Sequence, residues 1–487
     1  MKKGIVYFSL LFVFMVVTVG CSNSNDNGPD SLVKDLTTSE RINKFIVNCV
    51  QSMYLWESET NWTNYNNKST FSSKSDHYKL FGEFINKDDR WSELTDDIES
   101  LKAEFSGVTT TYGYYLRIYR FSNENSYFAV VMYNYPGSPS EKAGFKRGDI
   151  LLRINGNKIT ESNYLDLYYS SSITIQTGRE DGNTIVENPG SISMSATEMY
   201  LDPINKTSII VKGAHKIGYL CYTDYVNTSE KDLYSVFSDF KSKGVTDVVL
   251  DLRYNGGGHA QTALRISSVL APWSVVRGKS VYLSQKWNDL WTSLQDEDEL
   301  NIYFDSTLPV NMDLKKLYIL TSRNSASASE ATIIGLKPYM DIKLIGETTS
   351  GKYCGGYLLA PDDYYNMFPE SGINRNYFSD FNNWGMYIMI YRYSNKEGYP
   401  SFITGLPPNI PVSEDDFDLK PLGDETDPLL GKAIEEITGI PYVQAYSTKK
   451  NLMRHQLVPE MSQKRVWDNR LIDEDAFAKY KLQQINK

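Results

Sequence analysis

The 487 residues leave room for about three domains at roughly 150 residues each and exclude a single small fold. An apolar share of 41% with 36 Tyr and 8 Trp excludes a disordered chain, and 50 basic against 60 acidic side chains give a net −10, the wrong sign for gripping a phosphate backbone, so nucleic acid is not an expected partner. Four Cys without a CxxC pair exclude a disulfide scaffold. The four His, at His77, His215, His259 and His455, lie far apart and form no HExxH pattern, so a His-built zinc site is not expected and any general base is expected to be something other than His.

Lys2 and Lys3, an apolar run from Ile5 to Val19, and then Gly20-Cys21 have the order of an export signal. The run is shorter than the roughly twenty residues a spanning helix needs, and the chain turns polar at Ser22. A small residue followed by Cys resembles a bacterial lipoprotein cleavage box, which implies acylation of Cys21 and a lipid anchor on a membrane. A plain secretory signal with a chance Cys is the alternative; both readings export the protein, and the expected location is the bacterial cell envelope. If Cys21 is acylated, Cys49, Cys221 and Cys354 remain, an odd number that cannot all pair within one chain.

Residues 21–37 read as a tether. Ile42, Phe45, Ile46, Cys49, Val50 and Met53 then follow helical spacing, and residues 38–105 are expected to be a small helical amino-terminal domain. Patterning turns β-rich from 106 to 180, with Tyr114–Tyr119 and Tyr127–Met132 as strand candidates. Within this unit Gly137–Gly156 reads as a loop, a short helix from Pro139 that stops at Gly144, a tight turn at Arg147-Gly148-Asp149, and a buried strand ending in an Asn-Gly turn. That stretch closely resembles the core of a PDZ domain. By the same resemblance Tyr112-Gly113-Tyr114 looks like the loop whose N–H groups receive a peptide's terminal carboxylate; by itself it would be only a turn.

After a poorly patterned connector the chain alternates strands and helices, as a mostly parallel layered sheet requires. Strands are expected at Ile217–Tyr222, Val248–Leu252, Leu317–Thr321 and Ile342–Ile345, with a helix from Glu230 to Lys243. The last three strands each run into a loop of small residues, where such sheets place their chemistry. Asp251–Gly258 carries three successive Gly that bare their N–H groups, or simply turns. Ser325–Glu330 precedes a helix to about Leu336; Ser327 either caps that helix or exposes a hydroxyl beside the positive end of its dipole. Gly346–Lys352 offers one Lys, either a surface residue or a desolvated amine able to act as a base.

Together, DLRYNGGG, SASASE and GETTSGK in this order resemble the carboxyl-terminal processing peptidases, also called tail-specific proteases, of the Ser/Lys class. Ser327 and Lys352 stand twenty-five positions apart, which agrees with that family's spacing. The resemblance implies Ser327 as nucleophile, Lys352 as general base, the N–H groups of Gly257 and Ala328 as oxyanion hole, and Glu330 as a residue that orients the site. It also implies an α/β, ClpP/crotonase-like layered core over about 200–440, no metal or organic cofactor, and protein or peptide substrates that have accessible carboxyl-terminal tails. Two positions depart from the family pattern. Gly356 stands where some members place a Gln that orients the Lys, so the orienting group is not legible, and Asn255-Gly256-Gly257 replaces Asn-Pro-Gly. Residues 358 to about 415 read as an irregular insertion with a family-like closing segment at Gly405–Val412, and 441–487 carry no motif. A non-cutting peptide- or ligand-binding module on the same fold is the alternative function.

Overall fold

The computed structural model describes residues 36–62, 74–105, 107–122, 124–182, 184–369, 373–398, 402–443, 455–459, 461–462 and 470–477. The export signal, Cys21 and most of the tether lie outside the described residues.

The centre is a sheet of six strands in the order Ile204–Lys212, His215–Tyr222, Asp247–Asp251, Lys316–Thr321, Asp341–Gly346 and Ile410–Pro411. The first pair is antiparallel and the rest are parallel. Successive side chains face opposite ways, so Tyr219, Cys221, Val249 and Leu320 pack under the helix Pro428–Thr438. Leu220, Tyr222, Leu250 and Ile319 pack with Leu233, Phe237, Ile266 and Ile333 of the helices Glu230–Ser242, Ala260–Leu270 and Ala328–Leu336. With both faces covered, these strands read as continuous apolar runs, which is why they were legible.

A second sheet lies over those helices, in the order Gly257–His259, Arg470–Ile472, Cys354–Leu359, Gly385–Ser394, Val281–Trp287 and Asn301–Tyr303. Its longest strand, Gly385–Ser394, falls in the stretch read as irregular. Nine of its ten residues are buried, so no alternation marks it as a strand. The amino-terminal helices share this core: Phe45 of the helix Thr38–Met53 packs against Tyr364 at 6.0 Å, and Glu93–Thr95 pairs with Gly385–Tyr387. Cys49, Cys221 and Cys354 are buried free thiols.

The PDZ unit has its own core around Leu116, Ile118, Leu151 and Leu167. Its helix Pro139–Lys142 starts with Ser138 Oγ accepting the Glu141 N–H, and its Asn155-Gly156 turn takes φ of 51° and 82°. The connector, poorly patterned in the sequence, forms strands Thr184–Glu187 and Ile192–Ser195 on this sheet and Thr197–Tyr200 against Val108–Thr111.

Buried charge joins this unit to the central sheet. Arg253 is fully buried and donates to Asp427 at 2.8 and 2.9 Å, to Asp251 at 3.0 Å and to Glu414 at 2.8 Å. Arg147 of the PDZ turn also pairs with Glu414. Burial alone would raise the Glu414 carboxyl, yet the guanidinium groups of Arg147, Arg253 and Arg117 hold it at about 2. Arg253→Met would leave two buried carboxylates, Asp251 and Asp427, without their cation while Glu414 keeps Arg147, and is expected to cost about 3–5 kcal/mol in urea unfolding; a loss below about 1 kcal/mol would contradict this role for the network.

Candidate active site

The three loops end their strands side by side and are laced by short hydrogen bonds. Ser325 Oγ donates to Leu252 O at 2.7 Å, Ala326 N–H to Asn255 O at 3.1 Å, and Ser350 N–H to Ser325 O at 3.0 Å. Asn255 is held in turn by its Nδ2–H to Tyr222 O at 3.0 Å. Gly257 touches the second loop so closely that an added Cβ would come 2.9 Å from Ser327 Cβ, which makes Gly obligatory there.

Ser327 opens the helix Ala328–Leu336 with φ 60° and ψ −110°, a backbone conformation few non-glycine residues adopt. Its hydroxyl is buried and makes no hydrogen bond among the described residues, so it is not the helix cap. Only the reverse half of the capping box forms, with Ser327 N–H donating to Glu330 Oε2 at 2.8 Å. The next N–H, that of Ala328, stands in the first turn, where no intrahelical carbonyl can reach it.

Glu330 is wholly buried and accepts four hydrogen bonds. Oε2 takes Ser327 N–H and Lys352 N–H, both at 2.8 Å, while Oε1 takes Thr349 Oγ1–H and Gly351 N–H, both at 2.6 Å. Burial raises its carboxyl to about 7 against the opposing pull of those donors. The sequence reading made it a residue that orients the site; the structure places it between the Ser loop and the Lys loop, bonded to both.

Lys352 is buried as well, and burial is the main cause that lowers its amine to about 7. Nζ donates to Tyr387 Oη at 3.0 Å and lies 5.0 Å from the Tyr387 ring and 5.6 Å from the Trp91 ring. The same tyrosine accounts for Gly356. A Cβ at 356 would come 2.5 Å from Met389 Cε and 2.7 Å from the Tyr387 ring, so the ring fills the space a Gln would need. Tyr393 Oη adds a bond to Lys352 O and one to Ser327 O at 3.2 Å. Sequence reading missed Tyr387, Tyr393 and Trp91, since no spacing rule connects them to loops so far away in the chain.

The remaining assigned residues are placed as follows. Gly257 lies beside Ser327, but its N–H donates to Asn255 Oδ1 at 3.0 Å, an atom that also accepts Ser329 Oγ–H at 3.0 Å. Tyr112 and Tyr114 are buried in the PDZ core and donate to Ser170 O and Leu167 O. Gly113 takes φ 73° and gives its N–H to Thr111 Oγ1 at 3.1 Å, so that donor is engaged. Among the described residues no group of three His, Cys, Asp or Glu side chains is placed to hold a metal ion.

Residues 216–412 match the model of peptidase family S41, and residues 130–170 that of a PDZ domain. The chain is 24% identical over 300 residues to the carboxy-terminal processing protease CtpA of Bacillus subtilis strain 168, covering 58% of each chain. It is 27% identical over 240 residues to the chloroplastic C-terminal processing peptidase of Tetradesmus obliquus, covering 46% of this chain and 47% of the other. It spans about half the length of these curated relatives. A solved structure from Bacteroides fragilis NCTC 9343, assigned to the S41 proteases, superposes with a TM-score of 0.66 at 24% identity, covering 82% of this chain and 97% of that one, so the two share a fold.

Removing the Glu330 carboxylate would orphan three buried N–H groups and a hydroxyl. At about 1–3 kcal/mol for each orphaned donor, Glu330→Ala is expected to lose at least about 3 kcal/mol in chemical denaturation. An unchanged midpoint would contradict the clamp.

Proposed function

We propose, for a chain whose residues 216–412 are a peptidase family S41 domain and whose residues 130–170 belong to a PDZ domain, that it is a serine endopeptidase working through a Ser327/Lys352 dyad. One observation carries this reading. A serine held in a strained turn, with no hydrogen bond on its hydroxyl among the described residues, is tied through Glu330 to a lysine whose amine sits at about 7.

At neutral pH a substantial share of Lys352 is uncharged. It takes the proton from Ser327 Oγ as the oxygen attacks the substrate carbonyl. Charge then builds on the carbonyl oxygen at the amino end of the helix, where the Ala328 N–H is the first donor. The Gly257 N–H becomes the second donor once it exchanges Asn255 Oδ1 for the oxyanion. The ammonium on Lys352, faced by the Trp91 and Tyr387 rings, returns its proton to the departing amine, and water then releases the acyl group by the same steps. The PDZ unit recruits carboxyl-terminal tails, and acylated Cys21 keeps the exported enzyme on a membrane of the cell envelope.

The complete burial of Ser327 Oγ favours a second reading, a closed peptide-binding protein that does not cut. Cleavage of an unfolded protein with an apolar carboxyl terminus, mapped by mass spectrometry, separates the two. Ser327→Ala and Lys352→Met are each expected to lower turnover by about 10⁴-fold or more while leaving unfolding transitions in place. Amidating the substrate's carboxyl terminus is expected to raise KM. Equal turnover in either variant, or no cutting by the unaltered chain, would overturn the protease reading.

A further inference from the structure

The residues after 440 had no assigned role, yet two of their segments lie on the two elements that the proposed function uses. Gln456 and Leu457 pair antiparallel with Arg120 and Tyr119, adding a strand to the outer edge of Tyr114–Arg120 in the PDZ sheet. The contact continues with Val458 N–H to Ile118 O at 2.8 Å and Ile118 N–H to Ser462 Oγ at 3.0 Å. On the far side Tyr168 Oη donates to Met461 O at 3.0 Å, and the Met461 side chain is buried with Leu116, Ile118 and Leu167. This is strand addition to a sheet edge with one apolar side chain in a pocket, the way an extended peptide is gripped. As residue numbers rise from Gln456 to Val458 the segment runs from Arg120 toward Gly113, the sense of an antiparallel peptide on this edge, and at Val458 the backbone turns, with Met461 N–H and Ser462 N–H donating to Val458 O at 3.2 and 3.1 Å.

The second segment lies at the catalytic edge. Arg470–Ile472 runs parallel to Gly257–His259, with Arg470 O 2.3 Å from where a Cβ on Gly257 would be. Leu471 gives its N–H to Tyr387 Oη at 3.1 Å and accepts the Tyr387 hydroxyl at 2.9 Å, the same phenol that holds Lys352. Phe477 is buried beside Trp291 and Tyr357, with ring centroids at 4.8 and 5.0 Å. This second contact buries Leu471, Ile472 and Phe477; the first combines a short ladder, the buried Met461 side chain and the His455 ring, which packs edge-on to Phe128 at 4.8 Å.

We infer that Gln456, Leu457, Val458 and Met461 are a tethered peptide filling the chain's own PDZ groove, which an incoming apolar peptide tail must displace. The inference rests on the PDZ unit being a peptide binder. A tethered ligand acts at an effective concentration of order millimolar, so a free peptide competes poorly until the tether lets go. Displacement is expected at this segment, where among the described residues only Met461 is buried, whereas the buried Leu471, Ile472 and Phe477 anchor the chain beside the dyad.

The test uses the full chain carrying Ser327→Ala, so that binding is read without turnover and its failure leaves the dyad chemistry standing. The probe is a fluorescein-labelled synthetic copy of residues 455–461 ending in a free carboxylate, followed by anisotropy. Adding Met461→Asp to the chain is expected to tighten probe binding at least about tenfold. In a second variant, Arg120→Cys with Gln456→Cys, directly paired across the ladder, is expected to form a disulfide that abolishes probe binding until it is reduced. Equal probe affinity with and without Met461→Asp, or a cysteine pair that stays reduced under oxidising conditions, would overturn the inference.

Discussion

One buried carboxylate sets the geometry of the site. Glu330 stands three residues into the helix that Ser327 opens, and its two oxygens are filled by four donors, two of them backbone N–H groups of the Lys loop. A carboxylate in that position is costly to desolvate, as its raised pKa shows, and it persists because every donor points at it. It takes the Ser327 N–H, while the Ser327 hydroxyl has no hydrogen bond among the described residues. By fixing Gly351 and Lys352 it brings an amine from a separate strand into the same apolar enclosure. The strained backbone at Ser327 is held in place by the same contact.

The amine is then governed by aromatic rings. Trp91 comes from the amino-terminal region and Tyr387 from the strand Gly385–Ser394, so residues 38–105 complete the wall around Lys352. The Asp251–Gly258 loop is bonded on one side to the helix that carries Ser327, through Asn255 and Ser329, and on the other to the PDZ unit, through Arg253, Glu414 and Arg147. The PDZ unit and the Asp251–Gly258 loop therefore share one chain of charged and polar contacts. Movement at Arg147 would reach Arg253 without crossing solvent.

The legible parts of the sequence were those with local causes. Val248–Leu252 and Leu317–Thr321 announced themselves as apolar runs because both their faces are covered, and SASASE before an apolar helix carried its own start signal. The PDZ turn at Arg147-Gly148-Asp149 and the short helix before it were equally local. Gly385–Ser394 was missed because nearly all of it is buried, which removes the alternation a strand usually shows. Tyr387 could not be found from the loops, although Gly356 was a signal: a missing side chain at that position implied that something else filled the space. The two tail segments escaped notice because strands of two and three residues form only where another sheet offers an edge.

The account turns on whether Ser327 is activated by neutral Lys352. The most direct measurement is the rate of fluorophosphonate addition to Ser327, read by peptide mass spectrometry from about pH 5 to about pH 9. The neutral amine is the deprotonated form and its fraction grows as pH passes its value of about 7, so labelling at Ser327 is expected to rise with a midpoint near that value. Ionisation of Glu330 over the same range opposes the rise, because its negative charge favours the ammonium form of Lys352, and a Lys352→Met chain is expected to lose the rise altogether. Absence of an adduct on Ser327 at every pH, or the same pH profile with and without Lys352, would contradict the account.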